Sequence, residues 1–200
     1  MPEPTLVTVL RHGAVFGPAQ VYRGRTDAPL SPAGRAAMTA RLPCLAVPPF
    51  TQIATSPRSR CRDFAAGLAD QLGQPLTVLE AMAEMDFGAW EGLSPAQAQA
   101  RDPSSHAAFR QGRGGAPGGE TLADFRARVA AGWSRWLAQA DGGHRLLVTH
   151  GGVMRALLMD LGALDPARPF AVALPETAHF RVSLLAGWPP VLLSLNPCTA

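Results

Sequence analysis

Lysine is missing from this chain: all 18 of its basic residues are arginine. The absence excludes a Walker A phosphate loop, which needs its Lys, and any Schiff-base mechanism, which needs a side-chain amine. Cysteine is scarce as well. Cys44, Cys61 and Cys198 show no CxxC or metal-like spacing, and an odd count without a leader-like start predicts reduced thiols in a cytoplasmic protein. Aromatic residues make up only 6%, and no basic run stands among them. Nucleic acid is therefore not an expected partner, despite a net charge of +3. No apolar stretch nears the length of a membrane span, so no membrane partner is expected either.

What is present is apolar and organised. With 47% apolar and 16% charged residues over 200 positions, the chain is globular, of one-domain size, and able to bury a sizeable core. Short β-branched runs alternate with helix-like segments. Strands are predicted at Thr5 to Leu10, Gln52 to Thr55, Leu76 to Glu80 and Arg145 to Thr149, with a closing antiparallel pair at Phe180 to Leu185 and Val191 to Leu195. Ser31-Pro32 reads as an N-cap and first helical position, opening a helix through about Leu42. Further helices are predicted at Arg60 to Leu72, closed by Gly73, and at Gly151 to Leu161. Thr121 caps another, with Asp124 in a capping-box-like position and an apolar stripe of Leu122, Phe125, Val129, Trp133, Trp136 and Leu137. The alternation predicts an α/β fold, a three-layer α/β/α sandwich with a mostly parallel central sheet, in one domain over 1–200. Leu93 to Gly119 interrupts it. Two X-Pro steps and the run GRGGAPGG predict a short helix near Ala96 to Arg101 inside a mobile, lid-like excursion that defines no pocket of its own.

The chemistry gathers where the strands end. In open α/β sheets, ligands bind outside the carboxyl ends of the strands. The first strand ends in Arg11-His12-Gly13, the second in Thr55-Ser56-Pro57-Arg58-Ser59-Arg60, and the fourth in Thr149-His150-Gly151-Gly152. If these strands are neighbours, two His and at least two Arg meet at one edge. The helix starting at Gly151 adds free N–H groups and the positive end of its dipole. Gly13 is expected to let the chain turn away from the bound group. A site of this kind suits a phosphate dianion, and an imidazole there can attack phosphorus. A leaving alkoxide then needs an acid, and the stretch Glu84-Met85-Asp86-Phe87-Gly88-Ala89-Trp90-Glu91-Gly92 offers three carboxyl groups. A metal site of His12, His150 and Glu84 is conceivable, though no HExxH-like spacing supports it. His106, His144 and His179 read as structural or exposed. Arg58, Arg62 and Arg155 are compatible with solvated helix faces.

Four blocks together resemble the histidine phosphatase superfamily, also called the phosphoglycerate mutase-like family, over nearly the whole chain. They are Arg11-His12-Gly13; Thr55-Ser56-Pro57-Arg58-Ser59-Arg60-Cys61; Glu84 ahead of Phe87-Gly88; and His150 through Arg155. The resemblance implies that His12 is the nucleophile and that Arg11, Arg60 and His150 hold the phosphoryl group. It also implies that Glu84 is the proton donor, with the backbone of Gly151 touching the substrate and Arg25 reaching in from the loop after the first strand. No cofactor and no metal are implied, and the partner is a small phosphate ester. Tyr22 through Leu30, MDFGAWEG and Pro117-Gly118-Gly119-Glu120 are similar to the α-ribazole phosphatase branch. The short segment after the Glu84 block favours a phosphatase over a mutase. Mutase-type phosphotransfer and non-catalytic phospholigand binding stay open as alternatives, and oligomeric state stays open as well. The chain departs from the family at Ala14-Val15, where the family has polar residues, and at Phe64, where a small polar residue is usual.

Overall fold

The computed structural model describes residues 3–139, 142–185 and 187–196. The chain opens with β1 (Thr5–Arg11), then α1 (Pro32–Thr39), the single turn α2 (Leu42–Leu45), β2 (Gln52–Thr55), α3 (Ser59–Leu72) and β3 (Leu76–Val78). Two 3₁₀ turns, Glu80–Met82 and Gly88–Trp90, lead into α4 (Pro95–Arg101) and α5 (Pro103–Arg110). The long α6 (Leu122–Leu137), β4 (His144–Thr149), α7 (Gly151–Asp160), β5 (His179–Leu184) and β6 (Val191–Leu195) complete the described chain.

The six strands form one sheet in the order β3-β2-β4-β1-β5-β6. Four of them, β3, β2, β4 and β1, run parallel, while β5 and β6 are antiparallel additions. Strand side chains alternate between two apolar layers. Val7, Val9 and Leu147 point toward α6 and α7, meeting Val129, Trp133 and Leu157. Leu10, Ile53, Leu146 and Val148 point the other way, toward Met38 of α1 and Phe64 and Leu68 of α3. β4 lies between two neighbours with helices on both faces, and all six of its residues are buried, which explains its unbroken Leu and Val. Each fully buried side chain of this size contributes about 1.5–3 kcal/mol. The three-layer sandwich with a mostly parallel sheet is thus present. Since β2, β4 and β1 are adjacent and parallel, their carboxyl ends open on one edge.

Local chemistry explains where the elements begin and stop. The Ser31 hydroxyl accepts the Gly34 N–H at 3.0 Å, capping α1. That helix ends at Thr39, short of the expected Leu42, because Pro43 has no N–H to extend it and can stand only in a new first turn, α2. Gly73 closes α3 at φ 63°, the left-handed position glycine takes without strain. Thr121 Oγ1 accepts the Asp124 N–H at 3.1 Å and donates to Asp124 Oδ2 at 2.7 Å, so the expected cap forms with a modified second bond. β3 stops at Val78, two residues early, where the chain tightens into the Glu80–Met82 turn.

Two further expectations need correction. The segment from Leu93 holds two helices rather than one, since Pro103 begins α5 directly after α4. Phe109 of α5 is buried in the main apolar layer beside Trp90, so this end of the excursion belongs to the core. The cysteines also differ from the sequence reading. Cys61 is free and buried, but Cys44 is disulfide-bonded. Cys198 lies outside the described residues.

Candidate active site

The nucleophile candidate sits at the join of two strands. Arg11 pairs with Thr149 in the β1–β4 ladder, and the His12 N–H donates to the Thr149 carbonyl at 2.9 Å. His12 Nδ1 lies 2.8 Å from the Gly13 carbonyl. A carbonyl only accepts, so Nδ1 carries the proton and Nε2 keeps its lone pair. Burial drives the His12 pKa down to about 3, outweighing the bond to Gly13, with Arg60, Arg11 and Arg23 pushing the same way. His12 is therefore a neutral imidazole at any ordinary pH, with its basic nitrogen free.

Gly13 serves a purpose other than the expected turn. It has no positive φ; instead a Cβ there would lie 2.3 Å from the Gly34 carbonyl oxygen. The missing side chain lets the end of β1 touch the first turn of α1.

Arg60 occupies the first turn of α3 and is almost fully buried. Its guanidinium donates to the carbonyls of Thr26 at 2.8 Å, Arg23 at 3.1 Å and Gly24 at 3.3 Å, and Nε donates to His150 Nδ1 at 3.3 Å. The 23–26 loop that supplies those carbonyls is tied down by Glu91. Its carboxylate accepts from the N–H groups of Gly24 at 2.9 Å, Arg25 at 2.8 Å and Phe87 at 3.3 Å, and from the Thr26 hydroxyl at 3.0 Å. Burial alone raises the Glu91 pKa, but these bonds outweigh it and hold the group ionised below the usual range. Glu91 is thus a strut behind Arg60.

Glu84, the expected proton donor, borders the cavity described below. Its Oε2 accepts the Gly152 N–H and its Oε1 the Met85 N–H, both at 3.0 Å, which places it on the N-terminal turn of α7. A Cβ on Gly152 would lie 2.1 Å from Glu84 Oε1, and one on Gly151 would lie 3.5 Å from the Arg11 guanidinium. The missing side chain at Gly152 therefore makes room for the Glu84 carboxyl, whereas one at Gly151 would only touch Arg11. Arg11 donates through Nη1 to the Leu174 carbonyl, while its buried Nε has no partner among the described residues.

These groups border a cavity of about 520 Å³. Arg11, His12, Arg60, Glu84 and Gly151 line it, together with Tyr22, Phe109, Phe170, Arg110 and Arg155. Two expected site residues are placed otherwise. His150 is completely buried and does not line the cavity. Its Nδ1 accepts from Arg60, so Nε2 bears the proton and donates to Ser56 Oγ at 2.6 Å. Both nitrogens are occupied, and the ring backs Arg60 from 5.3 Å behind the His12 ring. Arg25 faces solvent, 73% exposed, and pairs with Asp86 at 3.5 Å, because Glu91 holds the backbone of its loop inward.

Other side chains were missed or misjudged. Arg155 is no solvated helix face: its Nη1 donates to the carbonyls of Pro169 and Val172, both at 2.8 Å, and it lines the cavity. Its signal was one helical turn from Gly151, the same face of α7. The remaining histidines are structural, as expected. His144 bridges Thr8 Oγ1 at 2.8 Å and the Pro48 carbonyl at 2.6 Å, and His106 meets the Tyr22 hydroxyl at 2.9 Å. Among the described residues, no three His, Cys, Asp or Glu side chains gather as a metal site requires.

The buried histidines predict an acid-labile fold. Burial lowers the pKa of His12 to about 3 and that of His150 well below its usual value. Between that value and about 6.5 the unfolded chain binds the proton and the folded chain does not. Stability is therefore full above pH about 6.5 and falls with pH, by about 2 kcal/mol at pH 5 from His12 alone. Urea midpoints at pH 7.5 and pH 5 check this, and the His12→Asn variant should lose less between them. An equal drop in both proteins would disprove the assignment to His12.

Comparison with known proteins agrees with this geometry. A bifunctional protein of Mycobacterium tuberculosis is 32% identical over 186 residues, 84% of this chain. The chain spans only about half (51%) of that relative's length. The glucosyl-3-phosphoglycerate phosphatase of Mycobacterium tuberculosis is 32% identical over 162 residues, covering 76% of this chain and 72% of its own. The solved structure of a mycobacterial glucosyl-3-phosphoglycerate phosphatase superposes with a TM-score of 0.84 at 26% identity, covering 98% of this chain and 100% of that one. An α-ribazole phosphatase from Shigella flexneri shares the fold, with a TM-score of 0.82 at 19% identity over 96% of each chain. Residues 7–196 match the profile of one family throughout, and the chain belongs to the histidine phosphatase superfamily, branch 1.

Proposed function

We propose that the protein is a phosphomonoesterase acting through a phosphohistidine on a small phosphorylated metabolite. The observation that carries this reading is the fixed tautomer of His12, whose Nδ1 is committed to the Gly13 carbonyl 2.8 Å away. Nε2 is left as a buried, unprotonated nucleophile on the floor of an arginine-rich cavity. The lone pair of Nε2 forms the bond to phosphorus as the bond from phosphorus to the leaving oxygen breaks. Arg11 and Arg60 hold the non-bridging oxygens and stabilise the charge spread over them. The Glu84 carboxyl gives its proton to the leaving oxygen. The resulting carboxylate takes a proton from water, the water oxygen bonds to phosphorus, and the P–N bond returns its electrons to Nε2. His150 acts through Arg60 in this scheme.

The substrate is a small phosphate ester. α-Ribazole 5′-phosphate is one candidate from the sequence resemblance, and glucosyl-3-phosphoglycerate another from the names of relatives. A cytoplasmic site of action rests on the sequence reading, and the Cys44 disulfide weighs against a strongly reducing compartment. The test is a screen of phosphomonoesters that includes both candidates and 3-phosphoglycerate, run with and without EDTA. Release of inorganic phosphate unaffected by EDTA is the expected result. Isomerisation of phosphoglycerate without release would instead make the protein a mutase, and saturable binding without turnover would make it a phospholigand-binding protein.

A further inference from the structure

The stretch Pro117-Gly118-Gly119-Glu120, at the end of the excursion, takes no part in the scheme above, yet it meets the segment that carries Glu84. From Ala83 to Phe87 the chain has no helix or strand, so its backbone groups need partners from elsewhere. Arg128, in the middle of α6, reaches three carbonyls on and beside this segment. Its Nη1 donates to Ala81 at 2.9 Å and Ala83 at 3.1 Å, and its Nη2 to Glu84 at 3.5 Å. Glu120 holds the other end. Its N–H donates to the Asp86 carbonyl at 3.0 Å, and its Oε2 accepts the Asp86 N–H at 2.9 Å. The two side chains then lock each other in a fork, Nε to Oε1 at 2.8 Å and Nη2 to Oε2 at 2.7 Å. Glycine allows the approach: a Cβ on Gly119 would lie 2.4 Å from the Asp86 carbonyl oxygen, and one on Gly132 of α6 would lie 2.3 Å from Ala81 Cβ. Neither Arg128 nor Glu120 lines the cavity, so both act through the chain they hold.

We propose that the Arg128–Glu120 pair positions the Glu84 carboxyl for proton transfer. The inference rests on the phosphomonoesterase reading for the use of that position, and on the hydrogen bonds alone for its cause. The N–H groups of Met85 and Gly152 hold the two carboxyl oxygens, but only while the main chain of residue 84 stands at the right distance from α7. Arg128 and Glu120 set that distance, gripping the carbonyls before Glu84 and the peptide groups after it. A planar fork tolerates little displacement, and an error of about 1 Å at a reacting group can cost about 10²-fold in rate. One carboxylate thus links the end of the excursion to the acid.

The test uses Arg128→Lys, which keeps the charge but loses the fork, and Glu120→Gln, which keeps an acceptor for Asp86 but loses the charge. Each should lower kcat on an alkyl phosphate by about 10- to 100-fold. The first turnover of 4-nitrophenyl phosphate should keep its wild-type rate, since that departure needs no proton. In a Glu84→Gln background neither substitution should slow the alkyl phosphate further, because the group they aim is gone. A merely structural role predicts equal losses with both esters and a further loss in that background; either result overturns the proposal. A second measurement needs no turnover. Hydrogen exchange at the Met85 and Gly152 N–H groups, followed by NMR, should quicken about tenfold or more in both variants, with Leu68 of α3 unchanged. Unchanged exchange at Met85 and Gly152, or equal quickening at Leu68, also overturns the proposal. If exchange quickens locally and the wild-type protein turns over no ester, the positioning of Glu84 stands and the phosphatase reading falls.

Discussion

Replacing His12 with alanine is expected to lower kcat on a generic aryl phosphate by roughly 10⁴-fold or more, the order of loss that follows removal of a covalent nucleophile. No other group on the cavity floor can take over. The arginines have no lone pair to offer, and Glu84 has both oxygens engaged by backbone N–H groups. His150 is sealed from the cavity with its two nitrogens bound to Arg60 and Ser56. The wild-type protein, quenched during turnover of labelled substrate, should carry phosphate in a linkage that acid releases and base preserves, as expected for a P–N bond. The His12→Ala variant should carry none. Equal turnover by the two proteins would sink the assignment of the nucleophile and the covalent mechanism with it.

The second large effect depends on the leaving group. Glu84→Gln removes the proton supplied to the leaving oxygen and the base that activates water, each worth about 10²–10⁴-fold. With an alkyl phosphate both steps suffer, and steady-state turnover should fall by that amount. With 4-nitrophenyl phosphate the departing oxide needs no proton, so phosphorylation of His12 stays fast while hydrolysis slows. The variant should then release one nitrophenolate per protein molecule in a burst, followed by a slow phase. A urea midpoint near that of the wild type separates this from misfolding, since Gln loses only one of the two backbone bonds that Glu84 accepts. The same loss with both esters, and no burst, would mean that Glu84 has a positional role only.

Much of this arrangement was legible in the residues. The strand ends stood out because β-branched runs stop at Arg11-His12-Gly13 and Thr149-His150-Gly151, and the parallel order β2-β4-β1 brings those ends together. Ser31-Pro32 and Gly73 mark helix ends by local chemistry that needs no tertiary context. What escaped reading depends on partners far away. Asp102-Pro103 reads as a break, yet proline is at home in a first helical turn, and Phe109 makes that turn part of the core. The motif around His150 shows that the residue belongs to the site without showing which way it faces; burial behind Arg60 settles that. Arg25 is turned outward because Glu91, in a different segment, claims its backbone N–H. The Cys44 disulfide could not be foreseen, since spacing alone does not determine pairing.

The position of β1 in the sheet has a consequence for how the protein is made. Its two neighbours are β4 and β5, and Leu6 pairs with His144, 138 positions later. Closing so long a loop costs entropy that local contacts cannot offset, and such pairings form late. A chain still emerging from the ribosome, or cut before β4, holds Arg11, His12, Arg60 and Glu84 but lacks the strand that joins β1 to β2 in the sheet. Competence for the proposed phosphatase reaction is therefore expected only with the last third of the sequence. Phosphate release, measured through refolding or during synthesis, should report the moment at which the central strand is inserted.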